Sequence, residues 1–152
     1  MQYLIDNDIK EKGEYQFTTA LERMKKAGAK FIPGQVEEWL DCGNKNAMVA
    51  TNKRYLEFIK NQPLIAPTLK QSNSVIIPPC FIGEGVVIEN SVIGPHVSIG
   101  DYTIIGDSRI KNSIIQKNCS IHNAVLDNSM LGNFVNFEGK SEDLSLGDYS
   151  TN

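Results

Sequence analysis

The chain has 152 residues, of which 41% are hydrophobic and 22% are charged, the composition of an ordinary globular protein with one or two domains. Its formal net charge is −3 and its lysines and arginines form no cluster, so nucleic acid and acidic membrane surfaces are poor candidate partners. No apolar run approaches the roughly 20 residues of a membrane-spanning helix. The cysteines, Cys42, Cys80 and Cys119, are odd in number and lack metal-ligand spacing, which favours a reducing cytoplasm.

Helical patterns dominate the first sixty residues. A short helix is predicted to begin at Thr18 and to end at Gly28. Short strands are predicted around Lys30–Ile32 and Val36, on either side of a Pro-Gly pair. Asn44 is predicted to cap a second helix that runs to about residue 61. The expected apolar stripe of this second helix is Ala47, Met48, Thr51, Tyr55, Phe58 and Ile59.

The second half of the chain repeats with a period of 16 or 17 residues. Twelve large apolar residues fall into three columns: Ile76, Ile93, Ile110, Leu126; then Ile82, Ile99, Ile115, Leu131; then Ile88, Ile105, Ile121, Phe137. Neighbouring columns lie five or six residues apart. An apolar residue that turns inward at this spacing and stacks on its equivalent one turn later predicts a mainly β fold, a three-sided parallel β-helix of about four turns. A β-sandwich with accidental spacing is the alternative.

Small residues complete the repeat. Polar triplets precede the first column, at residues 72–74, 89–91, 106–108 and 122–124, and Asn, Asp, Ser and Gly suit such corners. A second, smaller inward column consists of Val86, Thr103, Cys119 and Val135. We therefore expect Cys80 and Cys119 to be buried structural thiols.

These patterns divide the chain into four segments. Residues 1–62 are predicted to be the remnant of an α/β domain, 63–74 a proline-bearing linker, 75–140 the β-helix and 141–152 a polar tail. The first segment is too short to bury a good core alone and lacks the strands of a main sheet. We therefore expect the chain to be a fragment of a longer protein or a short natural relative of one.

Two motifs of the first segment resemble those of sugar-1-phosphate nucleotidyltransferases. The segment Gly13–Leu21, GEYQFTTAL, resembles the family pattern G-E-x-x-[LI]-T-D-A, and Trp39–Asn44, WLDCGN, resembles W-x-D-x-G-T. A helix, a linker and hexapeptide-like repeats follow, in the family's order. The whole is similar to the C-terminal portion of a glucose-1-phosphate thymidylyl-, uridylyl- or adenylyltransferase with a left-handed β-helix. Thr19 stands where the family usually has aspartate, and Asn44 where threonine is common.

The resemblance implies two binding residues. Glu14 matches the glutamate that accepts hydrogen bonds from sugar hydroxyls, a task suited to the two oxygens of a carboxylate. Asp41 matches the aspartate that helps to hold Mg²⁺ between nucleotide and sugar phosphate. The alternatives are that Glu14 is a solvated loop acid and that Asp41 caps the following helix. No catalytic residue is assigned.

The family's glycine-rich nucleotide loop, G-x-G-x-R-L, does not occur in this sequence. Nucleotidyl transfer depends on positioning and neutralising the phosphates, so we expect this chain alone to be inactive and to need no cofactor. In a full-length parent, the resemblance implies a cytoplasmic enzyme of nucleotide-sugar biosynthesis. That enzyme would use Mg²⁺, a nucleoside triphosphate and a sugar 1-phosphate, and its β-helix would serve assembly or regulation. We expect a homo-oligomer with no nucleic-acid or membrane partner.

Two other functions fit a β-helix. One is a hexapeptide-repeat acyltransferase that uses acetyl-CoA and a histidine base, for which His96 and His122 are the candidates. The other is a pure oligomerisation module with no small-molecule site, because the end strands of a solenoid need covering.

Overall fold

The computed structural model describes residues 1–145 and 148–149, so part of the tail predicted for 141–152 lies outside the described residues. The chain forms two compact units, Met1–Trp39 and Leu40–Asn152. The domain boundaries predicted from the sequence stay predictions. None of the three helices in the described part has the length and apolar composition that crossing a bilayer requires.

The first unit contains two helices, α1 (Gln2–Asp6) and α2 (Phe17–Lys26). The prediction of α2 is confirmed, and Gly28 follows its end at a φ of 92°, a conformation that glycine adopts without strain. The short α1 was not predicted. The strands predicted at Lys30–Ile32 and Val36 are wrong, because these residues are irregular and Ile32 is 90% exposed. A strand needs a neighbouring strand to pair with, and the first unit contains none.

The second unit is a three-sided parallel coil preceded by a helix. Its strands are β1 (Lys70–Ser72), β2 (Val75–Ile76), β3 (Cys80–Ile82), β4 (Val87–Glu89), β5 (Val92–Ile93), β6 (Val97–Ile99), β7 (Ile104–Gly106), β8 (Arg109–Lys111), β9 (Ser113–Ile115), β10 (Ser120–His122), β11 (Val125–Asp127), β12 (Met130–Leu131) and β13 (Asn136–Glu138). They form three parallel sheets with the orders β1-β4-β7-β10-β13, β2-β5-β8-β11 and β3-β6-β9-β12. The predicted β-solenoid of about four turns is confirmed.

The register of these sheets confirms the three predicted columns. Ile82 pairs with Ile99 and Ile99 with Ile115, and the other two columns stack in the same way. The Ile residues of the middle turns are fully buried, whereas Phe137 in the last turn is partly exposed. Cys80 and Cys119 are buried in the same core, as predicted. Burial of each such side chain contributes about 1.5–3 kcal/mol, so the periodic isoleucines contribute strongly to the coil's stability.

The coil begins earlier than the columns indicated. β1 pairs with β4, Leu69 packs on the core, and Ile65 pairs with Ile82. Ile65 lies 17 residues before Ile82, and Leu69 lies 17 residues before Val86, so the period itself extends into the segment predicted as a linker.

The polar triplets form the corners, as their composition indicated. Their middle residues, Asn73, Asn90, Asp107 and Asn123, have φ angles between 45° and 53°, a left-handed conformation that Asn and Asp tolerate. The third residue of each triplet builds a ladder between turns. The Ser91 N–H donates to Ser74 Oγ at 3.0 Å, and the Ser108 N–H donates to Ser91 Oγ at 3.0 Å. Each serine hydroxyl thus satisfies a backbone donor of the next turn.

The helix α3 (Lys45–Ile59) lies on the sheet that contains β6 and β9. Asn44 caps it, as predicted, by accepting from the Ala47 N–H at 3.0 Å. The predicted apolar stripe is wrong in part, because Tyr55 and Phe58 are exposed. The buried side chains are instead Val49 and Leu56. The surface that α3 meets is partly polar, which the apolar residues of the helix alone could not reveal.

Candidate functional site

Asp41 lies in an exposed segment that leads directly into α3. Its carboxylate oxygen Oδ1 accepts a hydrogen bond from the Gly43 N–H at 3.1 Å, and its backbone carbonyl accepts one from Thr51 Oγ1 at 2.6 Å. A Cβ added to Gly43 would lie only 3.3 Å from Asp41 Oδ1, so glycine leaves room for this close approach. The alternative that Asp41 caps the helix is wrong, because Asn44 makes the cap.

A single exposed carboxylate is chemically compatible with a Mg²⁺ ion that is shared with phosphates. The carboxylate is exposed and keeps Oδ2 outside the hydrogen bond to Gly43. Within residues 1–145 and 148–149, no group of three or more His, Cys, Asp or Glu side chains gathers that could hold a metal. Mg²⁺ commonly takes one or two carboxylates and completes its shell with phosphate oxygens and water, so a single aspartate fits this ion.

Glu14 lies in the first unit, in the turn that precedes α2. Its backbone exchanges two hydrogen bonds with Glu11, at 2.9 and 3.1 Å, and its exposed carboxylate accepts a weak bond from Gln16 Nε2 at 3.3 Å. Thr19 donates to Glu11 Oε2 at 2.9 Å. The turn thus presents the Glu14 carboxylate to its surroundings, but neither compact unit contains both Glu14 and Asp41.

His96 belongs to the contact between α3 and the coil. Its Nε2 lies 2.7 Å from Glu57 Oε1, and its side chain is only 13% exposed. The hydrogen bond from His96, followed by that from Lys60, lowers the pKa of the Glu57 carboxyl. Beside this pair, Ser98 Oγ donates to Asn52 Oδ1 at 2.6 Å. Nδ1 of the same ring is buried, so neither ring nitrogen is open to a substrate, and this imidazole is suited to holding the helix on the coil.

His122 lies at the end of β10 and packs over Gly106, where an added Cβ would meet its Nδ1 at 2.6 Å. Among the cysteines, Cys42 is exposed, whereas burial raises the pKa of the Cys80 thiol. A thiol with a raised pKa is a poor nucleophile, which agrees with a structural role for Cys80.

Comparison with known proteins finds relatives whose names give the type of activity that the motifs resemble. No protein-family model matches the chain. The chain is 26% identical to glucose-1-phosphate thymidylyltransferase of Streptomyces griseus, over 91% of this chain and 45% of that protein. It is 31% identical to glucose-1-phosphate thymidylyltransferase of Streptomyces antibioticus, over 68% of this chain and 33% of that protein. It is 35% identical to a protein named probable mannose-1-phosphate guanyltransferase in Schizosaccharomyces pombe, over 62% and 23% respectively.

These matches lie in the C-terminal parts of the relatives. The chain is similar to the C-terminal portion of a sugar-1-phosphate nucleotidyltransferase. It spans less than half the length of these curated relatives.

The residues that connect the segment containing Asp41 to the coil were not predicted to do so. Thr51 was assigned to the apolar stripe of α3, whereas its hydroxyl bonds the Asp41 carbonyl. Glu57, Asn52 and Ser98 were not among the residues predicted to make contacts. The sequence offers one clue to such contacts, namely a polar residue on the inward face of a helix. A buried polar group needs a hydrogen-bond partner, so this position predicts a polar contact.

Proposed function

We propose that this chain is the C-terminal region of a sugar-1-phosphate nucleotidyltransferase. In the parent enzyme, the phosphate of a sugar 1-phosphate attacks the α-phosphate of a nucleoside triphosphate and pyrophosphate leaves, giving a nucleoside diphosphate sugar. The observation that carries the proposal is the order of four features: the Glu14 motif, the Asp41 motif, a capped helix and a β-solenoid. The nucleotidyltransferase relatives support it over most of the chain.

In this proposal Glu14 binds the sugar and Asp41 binds a metal. Glu14 presents two acceptor oxygens on a turn, which suits a pair of adjacent sugar hydroxyls. Asp41 has an exposed carboxylate with an oxygen to spare, which suits a shared Mg²⁺. Mg²⁺ held there supplies charge neutralisation for the phosphates. The chain's own contribution is to fix the position of the carboxylate.

The chain alone is proposed to be inactive. Its 152 residues do not contain the pattern G-x-G-x-R-L, which in this proposal cradles and neutralises the triphosphate. The β-helix then serves assembly or regulation of the parent enzyme, in the cytoplasm.

Self-association is part of the proposal. The last turn of the coil leaves Leu126, Leu131 and Val135 only partly buried and Phe137 exposed, and strand edges there have no further turn above them in the described part. Exposed apolar surface beside open strand edges tends to find a partner, and closed homo-oligomers are the common outcome.

The test is pyrophosphate release from glucose 1-phosphate with dTTP, UTP, ATP or GTP. The chain alone is compared with a chimera in which it replaces the matching part of the Streptomyces griseus thymidylyltransferase. We expect release by the chimera and none by the chain. Turnover by the chain alone would overturn the assigned inactivity. A chimera that folds but releases no pyrophosphate would overturn the assignment to this enzyme class.

A further inference from the structure

The motif that contains Asp41 is tied to α3 by a side chain outside the motif. Thr51, in the second turn of α3, donates its hydroxyl to the Asp41 carbonyl at 2.6 Å. Asp41 Oδ1 in turn accepts from the Gly43 N–H, and Asn44 caps the helix. Three hydrogen bonds that involve side chains therefore hold the four residues from Asp41 to Asn44. Among the described residues, only the bond from Thr51 reaches the backbone of Asp41.

α3 is in turn held on the coil by polar contacts along its whole length. At its start, Lys45 Nζ donates to the Asn128 carbonyl at 2.8 Å. In its middle, Asn52 Oδ1 accepts from Ser98 at 2.6 Å, and towards its end Glu57 lies 2.7 Å from His96 Nε2. Val49 and Leu56 are buried between these contacts. These polar contacts lie at the start, the middle and the end of α3. The helix therefore cannot rotate about its axis or shift along it without breaking several contacts at once.

We infer that Thr51 is a positioning residue for Asp41, and that the coil fixes the Asp41 carboxylate through α3. This inference rests on the proposed function, because it takes Asp41 as the metal ligand. It gives the β-helix a task within each chain, namely support of the metal-binding segment, in addition to assembly.

The positioning role depends on the hydroxyl group of Thr51 and not merely on the volume of its side chain. Valine has the shape of threonine without the donor, and serine has the donor without the methyl group. Thr51→Val should therefore free the Asp41 segment, whereas Thr51→Ser should keep it in place. Thr68→Val is the matched control in the same unit, because Thr68 also has a hydroxyl that hydrogen-bonds, to Glu84 and to the Gly85 N–H. Ser98→Ala tests the coil's part, since it removes the donor to Asn52.

Two measurements on the isotope-labelled chain show how each variant affects the Asp41 segment. The first is the rate of water exchange of the Gly43 amide, which reports whether the turn at Asp41 is held. The second is the Mn²⁺ concentration that half-broadens the backbone amide signals of residues 41–43, with Mn²⁺ as a paramagnetic substitute for Mg²⁺ and with water in place of the phosphates. No broadening at these residues in the wild type would overturn the metal role of Asp41 and the positioning role of Thr51 with it. Thermal unfolding of each variant shows that the coil itself is intact.

We expect Thr51→Val to raise both the exchange rate and the Mn²⁺ midpoint by about threefold or more, the effect of losing part of one hydrogen bond. Ser98→Ala should raise the exchange rate by about twofold through the looser helix. Thr51→Ser and Thr68→Val should behave as the wild type. Unchanged exchange and midpoint in Thr51→Val, or equal effects in Thr51→Val and Thr51→Ser, would overturn the role of Thr51. Unchanged exchange in Ser98→Ala would overturn the role of the coil.

A further variant separates this inference from the proposed function. Asp41→Asn should abolish the broadening at residues 41–43. If broadening persists there, the metal role of Asp41 in the proposed function fails, and positioning of a metal ligand fails with it. If broadening is lost in Asp41→Asn and yet Thr51→Val has the wild-type midpoint, the proposed function stands and the positioning role alone is wrong.

Discussion

Replacement of Ile99 by alanine should destabilise the coil far more than the same replacement of Ile104. Ile99 is fully buried and stacks between Ile82 and Ile115 in successive turns, whereas Ile104 points outward and is 47% exposed. Truncating a fully buried isoleucine costs about 2–5 kcal/mol, since the lost transfer free energy is joined by a cavity that the stacked neighbours cannot fill. Packing on both sides places Ile99 in the upper half of that range. The cost at Ile104 should stay below about 1 kcal/mol, as for most surface positions.

The assay is thermal unfolding of both variants by circular dichroism. With about 4–8 °C of midpoint shift per kcal/mol in a small domain, Ile99→Ala should lower the midpoint by more than about 10 °C and Ile104→Ala by a few degrees. Both residues are isoleucines on strands that follow one another along the chain, β6 and β7, so the comparison isolates burial. Equal shifts in the two variants would contradict the inward column.

Three further predictions concern the corners, the helix and association. Ser91→Ala should cost about 1–3 kcal/mol and speed hydrogen exchange of the Ser108 amide, because that buried N–H loses its acceptor, Ser91 Oγ; wild-type exchange would remove the serine ladder from the account. The pKa of Glu57 is lowered in the folded chain from the ordinary value of 4.5, so the stability it contributes is present above that value and is lost as pH falls through the lowered pKa. The protection factors of the α3 amides, which compare each exchange rate with its intrinsic rate at the same pH, should therefore fall below about pH 4.5 in the wild type, and Glu57→Gln should remove this fall; the same pH dependence in Glu57→Gln would contradict it. Light scattering at tens of micromolar should give a mass above that of one chain, and Phe137→Ser should lower it; a monomer mass for the wild type would refute self-association.

The sequence predicted the coil because its signal is periodic. Each inward residue is supported by its equivalents one turn before and after, so a single misplaced residue does not obscure the register. Ile65 and Leu69 follow the same period. They lie at the start of the coil and have an equivalent in the following turn only, so the periodic signal for them is weaker. Phe137 shows the other consequence, since an end position of a column is partly exposed although its residue type suits the core.

Residues outside the repeat were harder to predict. The strands expected at Lys30–Ile32 and Val36 fail because a strand needs a partner, which local composition does not specify. The buried face of α3 was misassigned because Tyr55 and Phe58 look like core residues, whereas the coil surface selects Val49 and Leu56. In the candidate site, too, some residues could be predicted from the sequence and others could not. Asp41 and Glu14 came from motif resemblance, but Thr51 became visible only once the Asp41 carbonyl was located in space.

The central claim is that this chain supplies the metal-binding aspartate of a nucleotidyltransferase. The most direct test is turnover of the active chimera described above, with Asp41→Asn compared against the wild type and against Asp127→Asn, an exposed aspartate of the coil. If Asp41 shares the metal that neutralises the phosphates, Asp41→Asn should lower kcat by about 100-fold or more at an unchanged melting temperature. Asp127→Asn should leave kcat as it is. Wild-type kcat in Asp41→Asn would contradict the account.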